Sequence, residues 1–264
     1  MIQYPDFSPI LVSIGPIQVR WYGIMYLLSF GLTYLGMRKL VRSKRFQGLG
    51  LGIEDLGDLY FYLVLGVIIG GRVGHVLFYN LPYFVDNPLS VFALWQGGMS
   101  FHGGLIGVLC AAALFTRNRN IRLLPLLDLL AILAPIGIAL GRLGNFVNGE
   151  IYGRITTVPW CMAFPAASGC RHPLQLYQLL LEGLLLLGIM LWTHRSSDPR
   201  RVGLLSGTFL IGYGVFRSFA ELFREVGEAG FLGLTAGHYL SLPMIIIGSW
   251  LVIRSFRGSI QQGR

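Results

Sequence analysis

Long apolar blocks separated by short polar stretches run the length of the chain. Each block is close to the ~20 residues that a helix needs to cross a bilayer core. Seven are predicted as spans, at about 20–38, 58–80, 99–116, 123–145, 174–193, 203–224 and 238–254. The fourth is the weakest, because Pro125, Asp128, Pro135 and Arg142 interrupt it. Neighbouring helices can satisfy the backbone that proline frees, so the span stands. The expected fold is therefore an all-α polytopic membrane protein, one membrane-embedded domain over residues 1–264. Two connections on one side are too long for simple turns. The stretch 81–98 lacks Lys and Arg but holds Tyr83, Phe84, Phe92 and Trp95, and reads as an arm lying in the interface. Within it, Asn87-Pro88 can start a short helix, with Asn87 as N-cap. The stretch 149–172, with Pro159-Trp160 and Pro165, reads as a small exposed head, the plainer alternative being that both stretches only cap the bundle.

Composition agrees with this pattern. Only 12% of the residues are charged and 54% are hydrophobic, which excludes an ordinary soluble domain. The net charge of +9 would suit a nucleic-acid partner, but its distribution points elsewhere. With the N-terminus outside, inner loops hold fourteen of the 21 Lys and Arg residues and outer loops hold Arg20, Arg154, Arg171 and Arg224. This is the positive-inside asymmetry, and it places the C-terminus in the cytoplasm. The basic cluster follows the first span instead of preceding it, so that span reads as a permanent anchor and not as a cleavable signal. The 36 glycines include spacings of four at Gly66/Gly70/Gly74, Gly103/Gly107 and Gly137/Gly141. Such spacing lets helix backbones approach closely in lipid. Cys161 and Cys170 share an outer loop, where a disulfide and two free thiols are both open readings.

Ionisable side chains inside a span are costly unless paired or solvated, so each is a functional candidate. They gather in the outer half of the bundle. Arg142 lies in the run 141–153, GRLGNFVNGEIYG, with Asn145, Asn148, Glu150 and Gly153. The glycines permit a bent, closely approached backbone, and the amides supply donors and acceptors. Snorkelling to the headgroups is the plainer account of Arg142. Tyr213, Arg217 and Glu221 are spaced i, i+4, i+8 and form one helical stripe. A packing ion pair would explain Arg217 and Glu221 alone. A second arginine at similar depth suggests an anion between them, because guanidinium forks suit phosphate oxygens. His102 opens the third span beside Gly103 and Gly104, and its imidazole can accept a proton near neutral pH. Tyr22 and Tyr26 share a face of the first span. Arg72 with His75, Asp128 and Glu182 read as helix-to-helix pairs. No metal, nucleotide-binding or dinucleotide pattern is present in the sequence.

The run 141–153 resembles the diagnostic motif of bacterial prolipoprotein diacylglyceryl transferases. Arg20-Trp21-Tyr22-Gly23 with Tyr26, Phe101-His102-Gly103-Gly104, His172-Pro173-Leu174-Gln175-Leu176-Tyr177 and the Tyr213/Arg217/Glu221 stripe fit the same family in order. The resemblance implies a seven-span enzyme of the bacterial inner membrane, with a periplasmic N-terminus, a cytoplasmic C-terminus and a site in the outer half. Its substrates would be phosphatidylglycerol, drawn from the membrane lipids, and a preprolipoprotein signal peptide ending in a lipobox cysteine. Its products would be a thioether-linked diacylglyceryl protein and glycerol-1-phosphate, with no cofactor and no nucleic acid. Tyr26, His102, Arg142 and Arg217 are expected in catalysis. Asn145, Asn148, Glu150, Gly153, Tyr213, Glu221, Gly103 and Gly104 are expected at the substrate. Glu150 and Glu221 would orient arginines. An anionic-lipid flippase using the same arginines, or an assembly protein whose buried charges only pair helices, are the rival classes. The absence of visible repeats argues against a transporter.

Overall fold

The computed structural model describes residues 2–5, 7–15, 17–93, 97–225 and 235–261. In chain order the elements begin with β1 (Ile2–Gln3), β2 (Ile10–Ile14), β3 (Ile17–Arg20) and α1 (Trp21–Leu40). They continue with α2 (Asp55–Tyr79), α3 (Leu81–Asp86), α4 (Phe101–Asn118) and α5 (Leu123–Val147). Then come β4 (Met162–Ala163), β5 (Cys170–Arg171), α6 (Leu174–Gln178), α7 (Leu186–Ser196), α8 (Leu204–Glu221) and α9 (Ala236–Gln261). A π-helical turn, Leu179–Leu185, joins α6 to α7, so that Leu174–Ser196 is continuous.

The chain is a mostly helical membrane protein. Four segments are long and apolar enough to cross a bilayer: Asp55–Tyr79, Leu123–Val147, Leu174–Ser196 and Gly237–Arg257. Large apolar side chains such as Leu27, Phe61, Ile69, Leu114 and Trp192 point outward, which is costly in water and costless in lipid. The segment expected to be weakest is the most apolar of the four. Its Asp128 is buried and fully employed: one oxygen accepts from the Gly203 N–H at 2.6 Å, and the other from the Ser206 N–H and hydroxyl, both at 2.7 Å. A carboxylate on α5 thus caps the N-terminus of α8, whose first N–H groups have no partner of their own. The expected helix-to-helix role of Asp128 is what the structure has.

The all-α expectation needs one amendment, because short strands are present. Strands β2 and β3 form an antiparallel hairpin with Val12 opposite Val19 and Ser13 opposite Gln18. Their residues are rich in Ile and Val, and Gly15 takes the left-handed turn between them at φ +58°. A second sheet has the order β1-β4-β5, with β1 parallel to β4 and β4 antiparallel to β5. Strands β4 and β5 lie in the stretch expected to be the head, where the Cys161–Cys170 disulfide links them with a Cα–Cα distance of 5.4 Å, and β1 joins them from the N-terminal residues.

The chain forms two compact units, Arg38–Leu127 and the remainder, Met1–Met37 with Asp128–Arg264. In the first, α2 and α4 pack glycine against glycine. A Cβ at Gly74 would lie 2.7 Å from the Gly103 Cα, and one at Gly107 would run into the Gly66 carbonyl oxygen. The spacings at Gly66/Gly70/Gly74 and Gly103/Gly107 are therefore a backbone-to-backbone seam, whereas Gly137 and Gly141 face open space and form none. The arm belongs to this unit. Arg72 is buried, and it is not paired with His75 as expected. Its Nε donates to Val91 O at 2.8 Å, Nη1 to Gly97 O and Gly98 O, and Nη2 to Ser90 O and Ala93 O. Five donors meet five carbonyls of the arm, and the guanidinium also lies 5.1 Å from the Phe84 ring. A buried charge without a carboxylate is tolerable only when its donors are all used in this way. Asn87 sits at the N-cap of a 3₁₀ turn starting at Pro88, as expected. Its amide, however, donates backward to Tyr83 O instead of capping forward. Trp95 lies outside the described residues.

Gly107→Ala should cost about 1–3 kcal/mol, as overpacking does, with the helix seam forced apart. Thermal unfolding in detergent would show a lowered Tm for this variant and little change for Gly57→Ala, a position with open space around it.

Candidate functional site

The polar run at the end of α5 folds back on itself. Asn148 N–H and Glu150 N–H donate to the carbonyls of Gly144 and Asn145, and Gly149 adopts φ +66° to allow the reversal. Ile151 is also left-handed, at φ +59°, which is uncommon for a β-branched residue and marks a tightly determined turn. The Tyr4 hydroxyl closes the helix end by donating to Phe146 O at 2.6 Å. Asn145 is buried and donates to Glu150 Oε1 at 2.8 Å, and Asn148 donates to the same oxygen at 3.3 Å. Gln175, wholly buried, donates to the Glu150 carbonyl at 2.6 Å. The Glu150 carboxylate therefore organises two asparagines. It forms no arginine pair among the described residues, which corrects its expected role. Gly153 is needed for the backbone alone. A Cβ there would lie 2.5 Å from the Phe223 carbonyl oxygen, and the Gly153 N–H donates to His172 O at 2.9 Å. The neighbouring Arg154 N–H donates to Phe223 O at 2.8 Å, tying this turn to the end of α8.

The charged centre lies among α5, α8 and the π-helical turn. Arg142 Nη2 is 3.2 Å from Glu182 Oε2, and Arg217 Nη1 is 3.8 Å from Glu182 Oε1. Arg217 Nη2 is 3.0 Å from Glu221 Oε2, and the half-exposed Arg224 reaches Glu221 Oε1 at 3.2 Å. Glu221 thus holds Arg217 as expected, while the helix-pair reading of Glu182 was too modest. Its side chain is completely buried, and it bridges the two arginines that the sequence singled out. Tyr213 lies within electrostatic reach of Arg142, Glu182 and Arg217. Gly183 lets the Glu182 turn press on α5, for a Cβ there would lie 2.6 Å from Ala139 Cβ. The only hint in the sequence was the isolation of this acid in the run Leu179-Leu180-Leu181-Glu182-Gly183-Leu184-Leu185. Such a carboxylate must find partners elsewhere.

Beside this centre, Tyr22 and Tyr26 stack edge to face with their hydroxyls 3.4 Å apart. Tyr22 is near enough to Glu150 and Arg142 to feel both charges. A small cleft of about 60 Å³ is lined by Tyr22, Met25, Tyr26, Ser29, Gly137 and Gly141. Gly137 and Gly141 have no atom near where a Cβ would stand, so the α5 side of this cleft is open space.

His102 lies in the other unit, on the first turn of α4. Ser100 caps that helix by accepting the Gly103 N–H at 3.2 Å, and it anchors to α2 through its own N–H on Gly71 O at 2.8 Å. His102 is exposed, and its ring lies 5.6 Å from that of Phe101. Gly103 is filled by the α2 backbone, so it serves helix packing; Gly104 has its nearest neighbour, Val67 O, at 3.7 Å.

In the head, Arg171 pairs with Glu225 at 2.6 Å and lies 4.9 Å from the Tyr152 ring. His172 Nδ1 is 3.0 Å from the Tyr177 hydroxyl, which also accepts from Trp160 Nε1 at 2.7 Å. Burial and the nearby Arg154 charge push the His172 imidazole below its usual pKa. This favours the neutral ring as a fixed hydrogen-bonding strut. No cluster of three His, Cys, Asp or Glu residues able to hold a metal occurs among the described residues.

Comparison with known proteins places this chain in a family. The sequence profile of prolipoprotein diacylglyceryl transferases matches residues 9–254. The chain is 50% identical over 263 residues to the phosphatidylglycerol–prolipoprotein diacylglyceryl transferase of Nitrosospira multiformis, covering 97% of this chain and 89% of that protein. The enzyme of the same name from Polynucleobacter asymbioticus is 49% identical over 260 residues, covering 97% and 98%. That of Bordetella avium is 48% identical over 269 residues, covering 99% and 100%.

Proposed function

The chain belongs to the prolipoprotein diacylglyceryl transferase family, and from that premise we propose that its arginine centre binds the phosphate of phosphatidylglycerol during transfer of the diacylglyceryl group to a protein cysteine. The observation that carries this reading is the pair Arg142 and Arg217, held on either side of one buried carboxylate. Two guanidinium forks aimed at one point form an oxyanion site, and in a dry environment such donors act strongly.

The reaction is a displacement at carbon. The cysteine sulfur of the lipobox, at the end of a preprolipoprotein signal peptide, attacks the glyceryl carbon that bears the phosphate ester. A C–S bond forms, the C–O bond breaks, and its electron pair leaves on the phosphate as glycerol-1-phosphate. Negative charge grows on that phosphate, and Arg142 and Arg217 offset it. The thiol must lose its proton to be a good nucleophile. His102 is the base in this reading, with Tyr26 positioning or relaying the proton. Asn145, Asn148 and Glu150 hold the turn and offer amide contacts to the headgroup. Tyr213 and Glu221 fix the arginines. Gly153, Gly103 and Gly104 let the supporting backbones close up. The chemistry needs no cofactor.

The finer topology follows the same reading. Seven helical segments supply the spans: α1, α2, α4, α5, Leu174–Ser196, α8 and α9. The arm, the head and the N-terminus lie on the periplasmic side of the inner membrane, with the site in the outer half of a single membrane domain. The excess of basic residues in the other loops supports this, as does a disulfide in the head, since disulfides persist in oxidising compartments.

Two variants test these roles, with purified protein, phosphatidylglycerol and a lipobox peptide, and peptide mass as the readout. Arg217→Lys should lose about 100-fold in kcat/KM, because one ammonium cannot serve Glu182, Glu221 and a phosphate together. Near-normal turnover by a folded Arg217→Lys protein would remove the phosphate role. His102→Gln should lower kcat by about 100-fold and flatten the pH–rate profile near neutrality. An unchanged profile would move the base to another residue.

A further inference from the structure

Within the arginine centre, Glu182 occupies the place where an anion would sit. Its two oxygens face different arginines, one at 3.2 Å and the other at 3.8 Å. The 3.8 Å side is loose: Oε1 is buried and accepts no well-formed hydrogen bond among the described residues. A buried charged oxygen left without a hydrogen bond is a costly arrangement. It persists because Glu182 is the carboxylate that faces both arginines, while Glu221 reaches Arg217. The residue also stands on the π-helical turn Leu179–Leu185, where the regular helix ladder is interrupted. Such turns are rare and are frequent at functional sites.

We propose that Glu182 is an internal counter-anion: it holds the two arginines when no lipid is bound, yields them to the lipid phosphate, and returns to expel the phosphate monoester after transfer. The inference rests on the arginine centre being the phosphate site. Arg142, Arg217 and the half-exposed Arg224 carry three positive charges against the two negative ones of Glu182 and Glu221, and Glu182 is the carboxylate that Arg142 and Arg217 share. With Glu182 withdrawn, the sides of Arg142 and Arg217 that faced it are free for the negative charge of a phosphodiester. The product is a phosphate monoester with a charge of about −1.5 to −2 near neutral pH. Arginines that stabilise its departure would also retain it. A carboxylate competing for the same forks limits that retention. Glu182 is thus a positioning residue that sets product release and touches no reacting atom.

The test is Glu182→Gln, which keeps the shape and removes the charge. It is compared with wild type in detergent, measuring KM for phosphatidylglycerol, kcat, and inhibition by added sn-glycerol-1-phosphate. The inhibition constant should fall on the order of tenfold, the effect of removing one close like charge from a partly screened site. KM should fall with it, and kcat should fall because product leaves slowly. A merely structural role would raise KM and leave glycerol phosphate binding equal or weaker, and that result would overturn the proposal. If the Gln variant does not fold, Glu182→Asp draws the oxygens back from the arginines while keeping the charge. It should lower the inhibition constant by a smaller factor, and an increase would overturn the proposal equally. Wild-type enzyme that glycerol phosphate fails to inhibit at all would instead overturn the phosphate site on which the proposal stands.

Discussion

A charge cannot be left alone in a low-dielectric interior, and the pairing of Glu182 with Arg142 and Arg217 is where this protein meets that constraint most sharply. The three groups come from α5, the π-helical turn and α8, and Glu182 is fully shielded from solvent. Removing any one partner would strand the others at a cost of several kcal/mol. The pairing therefore fixes the register of these three segments and keeps two guanidinium groups converging on one point. An arrangement expensive to assemble and easily rebalanced by an incoming anion suits a binding centre better than a strut.

Small residues make that convergence sterically feasible. Gly183 brings the Glu182 turn against Ala139, and Gly237 sits so close to Glu221 that a Cβ would lie 2.6 Å from its carboxylate. Gly153 performs the same service at the head, where its chain runs beside Phe223. The arm uses a different solution to the same electrostatic problem. Among the described residues Arg72 pairs with no acid and instead uses all five donors on carbonyls, holding an irregular stretch in one shape. Asp128 does the reverse, spending a buried carboxylate on the free N–H groups at the start of α8.

Much of this was legible in the sequence, because hydropathy and helical spacing are local signals. The block 174–193 became Leu174–Ser196, the block 203–224 became α8, and Tyr213, Arg217 and Glu221 do share a face with Arg217 and Glu221 in contact. The glycine spacings foretold the α2–α4 seam. What the sequence hid was partner choice across long separations. Glu182 meets an arginine 40 positions away, and nothing beside it in a leucine run names that partner. Arg72 was misread for the same reason, since backbone carbonyls leave no mark in a sequence. The short strands escaped notice because β1 and β4 are two residues long and lie about 160 positions apart, joined only in three dimensions.

The most direct measurement of the central claim is native mass spectrometry of lipid carried by the purified protein, released from vesicles containing equal phosphatidylglycerol and phosphatidylcholine. Wild type should retain phosphatidylglycerol, and the double variant Arg142→Gln/Arg217→Gln should lose most of it while remaining folded by circular dichroism. If a folded double variant retained phosphatidylglycerol as well as wild type does, the arginine centre would not be where the lipid phosphate binds.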